Sequence, residues 1–271
     1  MPETRVASSA TGFAERLGQS TVRGLDTIGY GASLLVESLY WILMGRRRDQ
    51  VVRMEPIFAE AVTTGIRALP IISMLSATIG IMLALQGIYS LRQFGAESQV
   101  TFGVAIGVTR EFAPLITGIL VAGRSGSALA ARLATMTISS EIDALRVMGI
   151  NPVRYLAVPS LVALVVMLPA LALWADLVAL LGAGLYITSE LGITLGAYFQ
   201  QVLNSLTIDD VLHGITKSAF FAVLITIVGI VDGSKVTGGA EGVGRVTTQS
   251  VVHGISAIVL TDMFFVFAAT R

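Results

Sequence analysis

The first notable absence in this 271-residue chain is cysteine, which does not occur at all. Its absence excludes disulfide bonds, thiolate zinc sites, iron–sulfur clusters and cysteine nucleophiles, and it leaves the redox compartment open. Charge is also scarce: 13% of the residues are charged, whereas soluble domains carry about 25%. Because basic and acidic residues balance, the bulk charge gives no support to binding of nucleic acid. With 54% hydrophobic residues, the composition predicts a membrane protein.

Two further absences concern processing and nucleotides. Residues 1–30 contain no continuous apolar run of the kind that a cleavable signal needs, so we expect insertion to use internal segments. No GxxxxGK[ST] phosphate loop occurs, so the chain has no evident means of binding ATP itself. The glycine-rich segment EGVGRVTT, residues 241–248, lacks the lysine and a preceding strand, and we interpret it as a loop. We expect no cofactor and no metal, because His213 and His253 lack metal-ligand spacing.

Five hydrophobic runs are long enough to cross a hydrocarbon core of about 30 Å. Residues 55–271 are therefore predicted to form an all-α, multi-pass domain. Its spans are expected at about 64–89, 100–122, 155–187, 211–231 and 246–268. The first two form a hairpin, and the third exceeds a perpendicular crossing, so we expect it to tilt, to project or to kink at Pro169.

Shorter apolar segments flank these runs. Segment 33–44, SLLVESLYWILM, is too short to span, and apolar residues upstream recur at near-helical spacing among charged ones. This pattern predicts that residues 1–54 form amphipathic helices at the membrane surface, with a loosely folded leader as the alternative. Region 188–210 predicts another short surface helix.

Basic residues concentrate on one side of the predicted spans. Those before the first span are Arg5, Arg16, Arg23, Arg46, Arg47, Arg48 and Arg53. The loops after the second and fourth spans add Arg124, Arg132, Arg146, Arg154, Lys235 and Arg245. The opposite loops contain only Arg92. Since basic flanks are retained in the cytoplasm, we expect a cytoplasmic N terminus and an external C terminus.

Several ionisable residues fall inside the spans, where each costs several kcal/mol unless it faces protein, water or a partner. At 1.5 Å per residue, Arg110 and Glu111 lie roughly 15 Å from the outer end, and Lys217 roughly 10 Å. Consecutive residues point about 100° apart on a helix, so Arg110 and Glu111 cannot pair neatly, and we predict a Glu111–Lys217 pair. Pro114 lacks the N–H that would bond the Arg110 carbonyl, which predicts a weakened helix beside a polar cavity. The alternative is an ion pair that only fixes helix packing.

Other span residues have simpler interpretations. Asp176 and Asp262 are single carboxylates, expected to pair locally or to lie near the outer interface. Gly103 and Gly107 form a GxxxG pattern, and the four-residue spacing of small residues recurs at Gly118, Ala122, Gly126 and Ala130. These small residues predict close helix packing.

The loop after the second span predicts a short helix. In SSEIDALRVMGINPVRYL, residues 139–156, Ser140 is placed as a cap, acidic residues follow, and Gly149 and Pro152 are stop signals. Its apolar residues favour docking into a groove of another protein. A helix that rests on the membrane surface is the alternative.

At this point a family resemblance becomes visible. TREFAPLITGILVAGRSGSALAARLATMTISSEIDALRVMGINPVRYLAVP, residues 109–159, closely resembles the signature of the MlaE/YrbE permease family. Three further segments also resemble it in the expected order: LALQG at 83–87, KSAFFAVLITIVGIVDG at 217–233 and TTQSVVHGISAIVLTDMFF at 247–265. One departure is Arg132, where many relatives carry an acidic residue.

The resemblance implies the permease subunit of an ATP-binding-cassette (ABC) transporter that moves phospholipids between the inner membrane and the outer envelope. It implies a homodimer, two cytoplasmic ATPase subunits that bind the ATP, a hexameric ring of periplasmic MCE-domain proteins and a STAS-domain protein. Lipid is then expected between the two copies, at the residues Leu83, Leu91, Phe94, Arg110, Glu111 and Lys217. The ATPase is expected to dock on the coupling helix, at the residues Glu141, Asp143, Ala144, Leu145, Met148 and Gly149.

Three other functions stay open at this stage. Glu111 in mid-span permits a proton-coupled secondary transporter, and the chain could also be a passive anchor for envelope proteins. GRSG at 123–126 superficially matches an intramembrane serine protease, with Ser125 as nucleophile and His253 as base. Arg124 argues against the protease, because it places the motif at the cytoplasmic edge.

Overall fold

The computed structural model describes residues 3–45 and 54–269, apart from the side chains of residues 3–17, 19, 20, 23 and 269. Every element in these ranges is helical, and six stretches are long and apolar enough to cross a membrane. The predicted all-α, multi-pass membrane fold is confirmed. Seven of the arginines used to predict the orientation lie outside the described residues or side chains: Arg5, Arg16, Arg23, Arg46, Arg47, Arg48 and Arg53.

The described α-helices follow one another along the chain with short connections. In order they are α1 (Glu3–Met44), α2 (Met54–Thr64), α3 (Leu69–Arg92), α4 (Val100–Gly107), α5 (Ala113–Val121), α6 (Ser127–Ile138), α7 (Glu141–Val147), α8 (Val158–Leu191), α9 (Leu195–Ser205), α10 (Ile208–Ser234) and α11 (Gly239–Ala269). Three π-helical segments lie at Val108–Phe112, Ala122–Gly126 and Val153–Ala157. Two short 3₁₀ turns lie at Ile66–Ala68 and Glu97–Gln99.

Five of the six membrane-length stretches contain the predicted spans. The stretches are Gly24–Met44, Met54–Arg92, Glu97–Ile138, Val153–Leu191, Ile208–Ser234 and Gly239–Ala268. The first was not predicted, because segment 33–44 alone is too short. In the structure this segment continues a single helix, and the preceding residues 24–32, in which glycines and one aspartate alternate with apolar side chains, lengthen the membrane-length stretch to 21 residues.

Two other predicted boundaries change. Arg124 and Arg132, expected in the loop after the second span, are helical, because that span continues through a π-helical segment to Ile138. The interpretation of 241–248 as a loop is wrong, since these residues lie within α11. The turn comes just before them, at Gly238 and Gly239, whose φ angles of +90° and +67° few other residues adopt.

The helices α3 and α8 run parallel and in close contact. Trp174 Nε1 donates to Ser73 Oγ at 2.8 Å, and Arg92 Nη2 lies 2.9 Å from Glu190 Oε1 near the ends of both helices. Between these contacts, a Cβ at Gly80 would overlap the carbonyl oxygen of Ala179. Glycine is therefore required for this approach of two backbones.

The predicted packing role of small residues on the second span is only partly found. A Cβ at Gly118 would lie 2.9 Å from the Phe221 ring, and one at Gly126 would lie 2.9 Å from Ile225, so both glycines admit α10 side chains. Gly103 has nothing within 4 Å of such a Cβ. A Cβ at Gly107 would meet only the Phe112 ring of its own span, at 3.9 Å, so the GxxxG pattern packs against no other helix in this chain.

The short helix predicted in region 188–210 is α9. Thr194 caps it by accepting a hydrogen bond from Ala197 N at 3.2 Å. Tyr198 is fully buried and donates from its hydroxyl to Leu180 O at 2.8 Å. Burial raises the pKa of Tyr198 to about 12, so it stays a protonated donor across the physiological range.

The bundle has two distinguishable ends. One carries the connections 139–152 and 235–238 together with most of the described basic residues, and we call it the basic end. The other carries the turn 93–96 and α9, and we call it the hairpin end. The pairs described next lie in the spans between these two ends.

Candidate functional site

The second span loses its regular α-helix beside Pro114. Residues Val108–Phe112 are π-helical, and α5 begins at Ala113. Because Pro114 has no N–H, the Arg110 carbonyl lacks its usual helical donor. Lys217 Nζ supplies one instead, at 3.3 Å from Arg110 O. The predicted weakening of the helix at this point is confirmed.

Lys217 is the centre of a charge cluster that joins three spans. Its side chain is 0% exposed, and its ammonium hydrogen-bonds Glu111 Oε2, as predicted from the sequence. Asp262 Oδ1 on α11 lies 2.7 Å from the same ammonium, at an angle that suits an ion pair but not a hydrogen bond. A buried ammonium requires such neutralisation, because an unpaired charge in a low-dielectric interior costs many kcal/mol.

Asp262 was missed as a member of this cluster. A single carboxylate on the last span gives no spacing signal that points across to another helix. A usable signal was the depth of each residue in the membrane. Helices α10 and α11 are joined by the short link 235–238, so residues far from this link on the two helices lie at a similar depth.

Arg110 is held by the beginning of α10. Its Nε hydrogen-bonds Asp210 Oδ1, and the other carboxylate oxygen of Asp210 accepts from Thr207 N and Thr207 Oγ1, both at 2.7 Å. Thr207 and Asp210 thereby form a capping box. Asp210 was also missed, although the Thr-x-x-Asp spacing of a capping box was present in the sequence.

Two of these charged side chains, those of Arg110 and Glu111, remain accessible from outside the chain. The side chains of Arg110 and Glu111 are 40% and 33% exposed, whereas Asp210 is 4% exposed. The accessible guanidinium of Arg110 offers hydrogen-bond donors, and the accessible carboxylate of Glu111 offers acceptors of the opposite charge. The arrangement can therefore bind a polar group that carries both signs.

An apolar groove of about 270 Å³ is lined by residues that precede and follow this pair in the chain, although neither Arg110 nor Glu111 lines it. Gly107 and Phe112, which flank the turn that carries Arg110 and Glu111, form one edge. The remaining lining residues are Leu83, Gln86, Gly87, Ser90, Leu91, Val100, Gly103 and Val104. The groove thus contains Leu83 and Leu91 of the predicted apolar lining. Phe94 is not part of it and is 82% exposed at the hairpin end.

Among the described residues, eight polar side-chain atoms are buried without a hydrogen-bond partner, and two of them belong to His213 and Asp176. His213 Nε2 is buried without a hydrogen bond, and its ring contacts Phe265 edge-on at a centroid distance of 5.8 Å. Asp176 Oδ1 on α8 is also buried without a partner, so the expected local pairing of Asp176 is not found. The described residues contain no cluster of His, Asp and Glu that could hold a metal ion.

Comparison with known proteins identifies the family of this chain. The family model described as Permease MlaE matches residues 57–268. This chain belongs to the MlaE permease family.

Named relatives extend the same conclusion. A probable ABC transporter permease protein of Rickettsia felis is 33% identical over 214 residues, which cover 77% of this chain and 83% of that protein. A probable ABC transporter permease protein of Synechocystis is 34% identical over 226 residues, or 82% of this chain and 83% of the relative. The intermembrane phospholipid transport system permease protein MlaE of Haemophilus influenzae is 29% identical over 259 residues, or 95% and 96%.

The helix that the MlaE resemblance marks as a coupling helix is α7. It lies between Ser140 and Gly149, whose φ angles are +58° and +75°. Ser140 is the N-cap residue of this helix, as predicted, but with its left-handed backbone it makes no side-chain cap hydrogen bond. Ser139 Oγ instead donates to Glu141 Oε1 at 2.8 Å.

The predicted docking residues of α7 are mostly open. Exposed side chains or backbone are found at Glu141, Asp143, Ala144, Met148 and Gly149. Leu145 is only 9% exposed and is buried against its own chain. Val147 adds an 89% exposed apolar side chain. The surface open to a partner in this MlaE permease therefore excludes Leu145 and includes Val147.

Arg132, which departs from the family pattern, has partners within this chain. Its Nη1 lies 3.2 Å from Glu60 Oε2 on α2, and its Nη2 donates to Ser160 Oγ at 3.1 Å. Arg132 therefore connects α6 to α2 and α8.

The geometry gives no support to the alternative hypothesis of an intramembrane serine protease. Ser125 is buried in the π-helical segment Ala122–Gly126, while His253 Nδ1 lies 2.9 Å from Asp232 Oδ2. A His–Asp contact also occurs in catalytic triads, but no hydrogen bond joins Ser125 to His253 among the described residues, so no nucleophile–base pair is formed.

We predict that Lys217→Met destabilises the protein by about 3–5 kcal/mol, because it leaves two carboxylates facing each other without a cation. The triple variant Lys217→Met, Glu111→Gln, Asp262→Asn removes the stranded charges and is expected to recover most of that loss. Thermal unfolding in detergent, followed by size-exclusion chromatography, measures both. A single variant that melts with the wild-type protein contradicts this account of the cluster.

Proposed function

We propose that the chain is the inner-membrane permease subunit of an ABC transporter that moves phospholipid bound between two identical copies, with a separate ATPase supplying the energy. Membership of the MlaE permease family and the printed function of the Haemophilus relative support the class of transporter. The observation that carries the site is that Arg110 and Glu111 are accessible and lie in the turn between Gly107 and Phe112, two residues that line an apolar groove. A phospholipid has the same division into a charged head and apolar chains.

The size of the groove supports a second copy. At about 270 Å³ it is smaller than most ligand pockets, which span roughly 300–1,000 Å³. One side is open at Gly103, and Phe102 and Phe112 are 52% and 37% exposed nearby. A second chain facing this side would enlarge and close the space around a lipid.

Within the charge cluster the roles differ. Arg110 is accessible and its planar guanidinium suits a phosphate, and the accessible Glu111 suits an amine. Lys217 is fully buried and already faces two carboxylates, so we assign it to positioning Glu111 rather than to contacting lipid. The sequence-based expectation that Lys217 binds the headgroup is changed accordingly.

Orientation follows from the distribution of basic residues. The described residues Arg146, Arg154, Lys235 and Arg245 lie at the basic end, and we place this end in the cytoplasm with the C terminus outside it. Helix α7 then faces the cytoplasm, where an ATPase can dock. The periplasmic MCE ring and a STAS-domain partner complete the proposed transport system.

Proton coupling through Glu111 is disfavoured by the same geometry. The Glu111 carboxylate is already joined to the fully buried Lys217 ammonium in an ion pair, which fixes its position. A passive anchor would have no need for accessible charges beside a groove. Strict ATP dependence of lipid movement separates transport driven by an ATPase from both alternatives.

We predict that Glu111→Gln and Asp210→Asn each lower ATP-dependent lipid transfer by roughly tenfold or more, because each weakens a charge-assisted contact at the headgroup site. The assay uses the purified transporter complex in liposomes with a fluorescent phospholipid. Asp209→Asn is the matched control, since Asp209 is exposed and adjacent to Asp210 on the same helix. Normal transfer by both test variants, in complexes of normal composition, would refute the site.

We predict that Met148→Asp reduces capture of the ATPase by the permease, because it places a charge on the open apolar patch of α7. Met148 is 64% exposed. Leu203→Asp on α9 is the control: Leu203 is 74% exposed but lies at the hairpin end. Equal co-purification of the ATPase with both variants argues against docking at α7.

A further inference from the structure

A second cavity lies at the basic end, away from the groove described above. Its volume is about 700 Å³, within the range of ligand pockets. Its walls come from α1, the region from the end of α6 to α7, residues 151–157 and the end of α10. Neither the transport groove nor the open apolar patch of α7 accounts for it.

The floor of the cavity is apolar. Leu34, Leu133, Ala157 and Ile230 line it and belong to one buried hydrophobic cluster. The cluster joins α1 to the spans, because Leu34 is only 5% exposed. A ligand seated here therefore contacts hydrocarbon on its inner side.

The walls of the cavity contain two opposite charges without an ionic partner. Lys235 Nζ donates to Thr27 Oγ1 at 2.6 Å, and a hydroxyl does not neutralise an ammonium. Glu37 Oε1 accepts from Asn151 Nδ2 at 2.7 Å, which is also a neutral group. Among the described residues, neither Lys235 nor Glu37 forms a salt bridge.

The other charged pair in the walls contributes less. Arg146 Nη1 lies 3.0 Å from Asp143 Oδ1, with both side chains about two-thirds exposed. Each already neutralises the other, and such surface pairs are weak. The uncompensated charges of the cavity are thus one cation and one anion.

The surroundings match the headgroup level of a bilayer. Tyr30 lines the cavity, and one turn beyond Glu37 the ring of Trp41 lies 5.4 Å from the guanidinium carbon of Arg154. Tyrosine, tryptophan and basic residues are enriched where membrane proteins meet the interface. The cavity also lies where α6 and α10 end and the next span begins.

We propose that this cavity binds the headgroup of one resident phospholipid of the phosphoethanolamine type. Lys235 contacts its phosphate, Glu37 contacts its ammonium, and the apolar floor contacts the glycerol and first chain carbons. A headgroup with both signs complements the two charges, whereas a purely anionic headgroup would face Glu37 unfavourably. The lipid then bridges α1 and α7 without being the transported molecule.

The test uses the full-length permease in nanodiscs that contain a photoreactive phosphatidylethanolamine, with cross-linked peptides mapped by mass spectrometry. We expect labelling of peptides from 30–37 or 142–157. Excess unlabelled phosphatidylethanolamine should reduce it at least tenfold more effectively than phosphatidylglycerol. This comparison needs no variant and therefore does not depend on variant folding.

Variants locate the charges. Lys235→Gln and Glu37→Gln should each reduce labelling by roughly tenfold, while Arg245→Gln should not, although Arg245 is a cation at the same end bonded to the hydroxyl of Thr237 at 3.3 Å. Glu111→Gln should leave labelling unchanged, which separates this site from the transport groove. Equal labelling of all variants, or equal competition by phosphatidylglycerol, would overturn the proposal. Displacement by soluble phosphoethanolamine at the same concentration as the lipid would assign the cavity to a soluble ligand instead.

Discussion

A single buried ammonium, that of Lys217, constrains the centre of the bundle. No water reaches its fully buried side chain, so protein groups must satisfy its charge and its hydrogen atoms. The second span supplies the carboxylate of Glu111 and the carbonyl of Arg110, and the last span supplies Asp262. Three membrane spans must therefore meet at one depth.

The same constraint explains the irregular backbone of the second span. Pro114 frees the Arg110 carbonyl, and the π-helical segment Val108–Phe112 alters the angular spacing of the side chains around it. Glu111 can then turn toward Lys217 while Arg110 turns toward Asp210. The result is a buried contact between Glu111 and Lys217, with accessible polar groups of Arg110 and Glu111 in the turn between the groove residues Gly107 and Phe112.

Several features of this architecture could be predicted from local sequence. Hydrophobic run length located five spans, the missing N–H of Pro114 located the irregular turn, and the 100° separation of neighbouring residues predicted the Glu111–Lys217 pair. The sixth membrane-length stretch was missed because residues 24–32 mix glycines and the charged Asp26 with apolar side chains, so they do not form a continuous apolar run. Asp262 as a partner of Lys217 depends on which helices become neighbours, and local patterns do not encode that. The left-handed backbone at Ser140, whose side chain makes no cap hydrogen bond, is likewise set by the turn that joins α6 to α7.

The central claim is that the open Arg110–Glu111 pair receives a phospholipid headgroup between two copies of the chain. The most direct measurement is an electron cryomicroscopy structure of the purified complex in a lipid nanodisc. The account predicts lipid density in a groove shared by two copies, with the phosphate within hydrogen-bonding distance of the Arg110 guanidinium. Two copies that meet through another surface, with Arg110 and Glu111 facing the surrounding bilayer and no lipid between them, would contradict it.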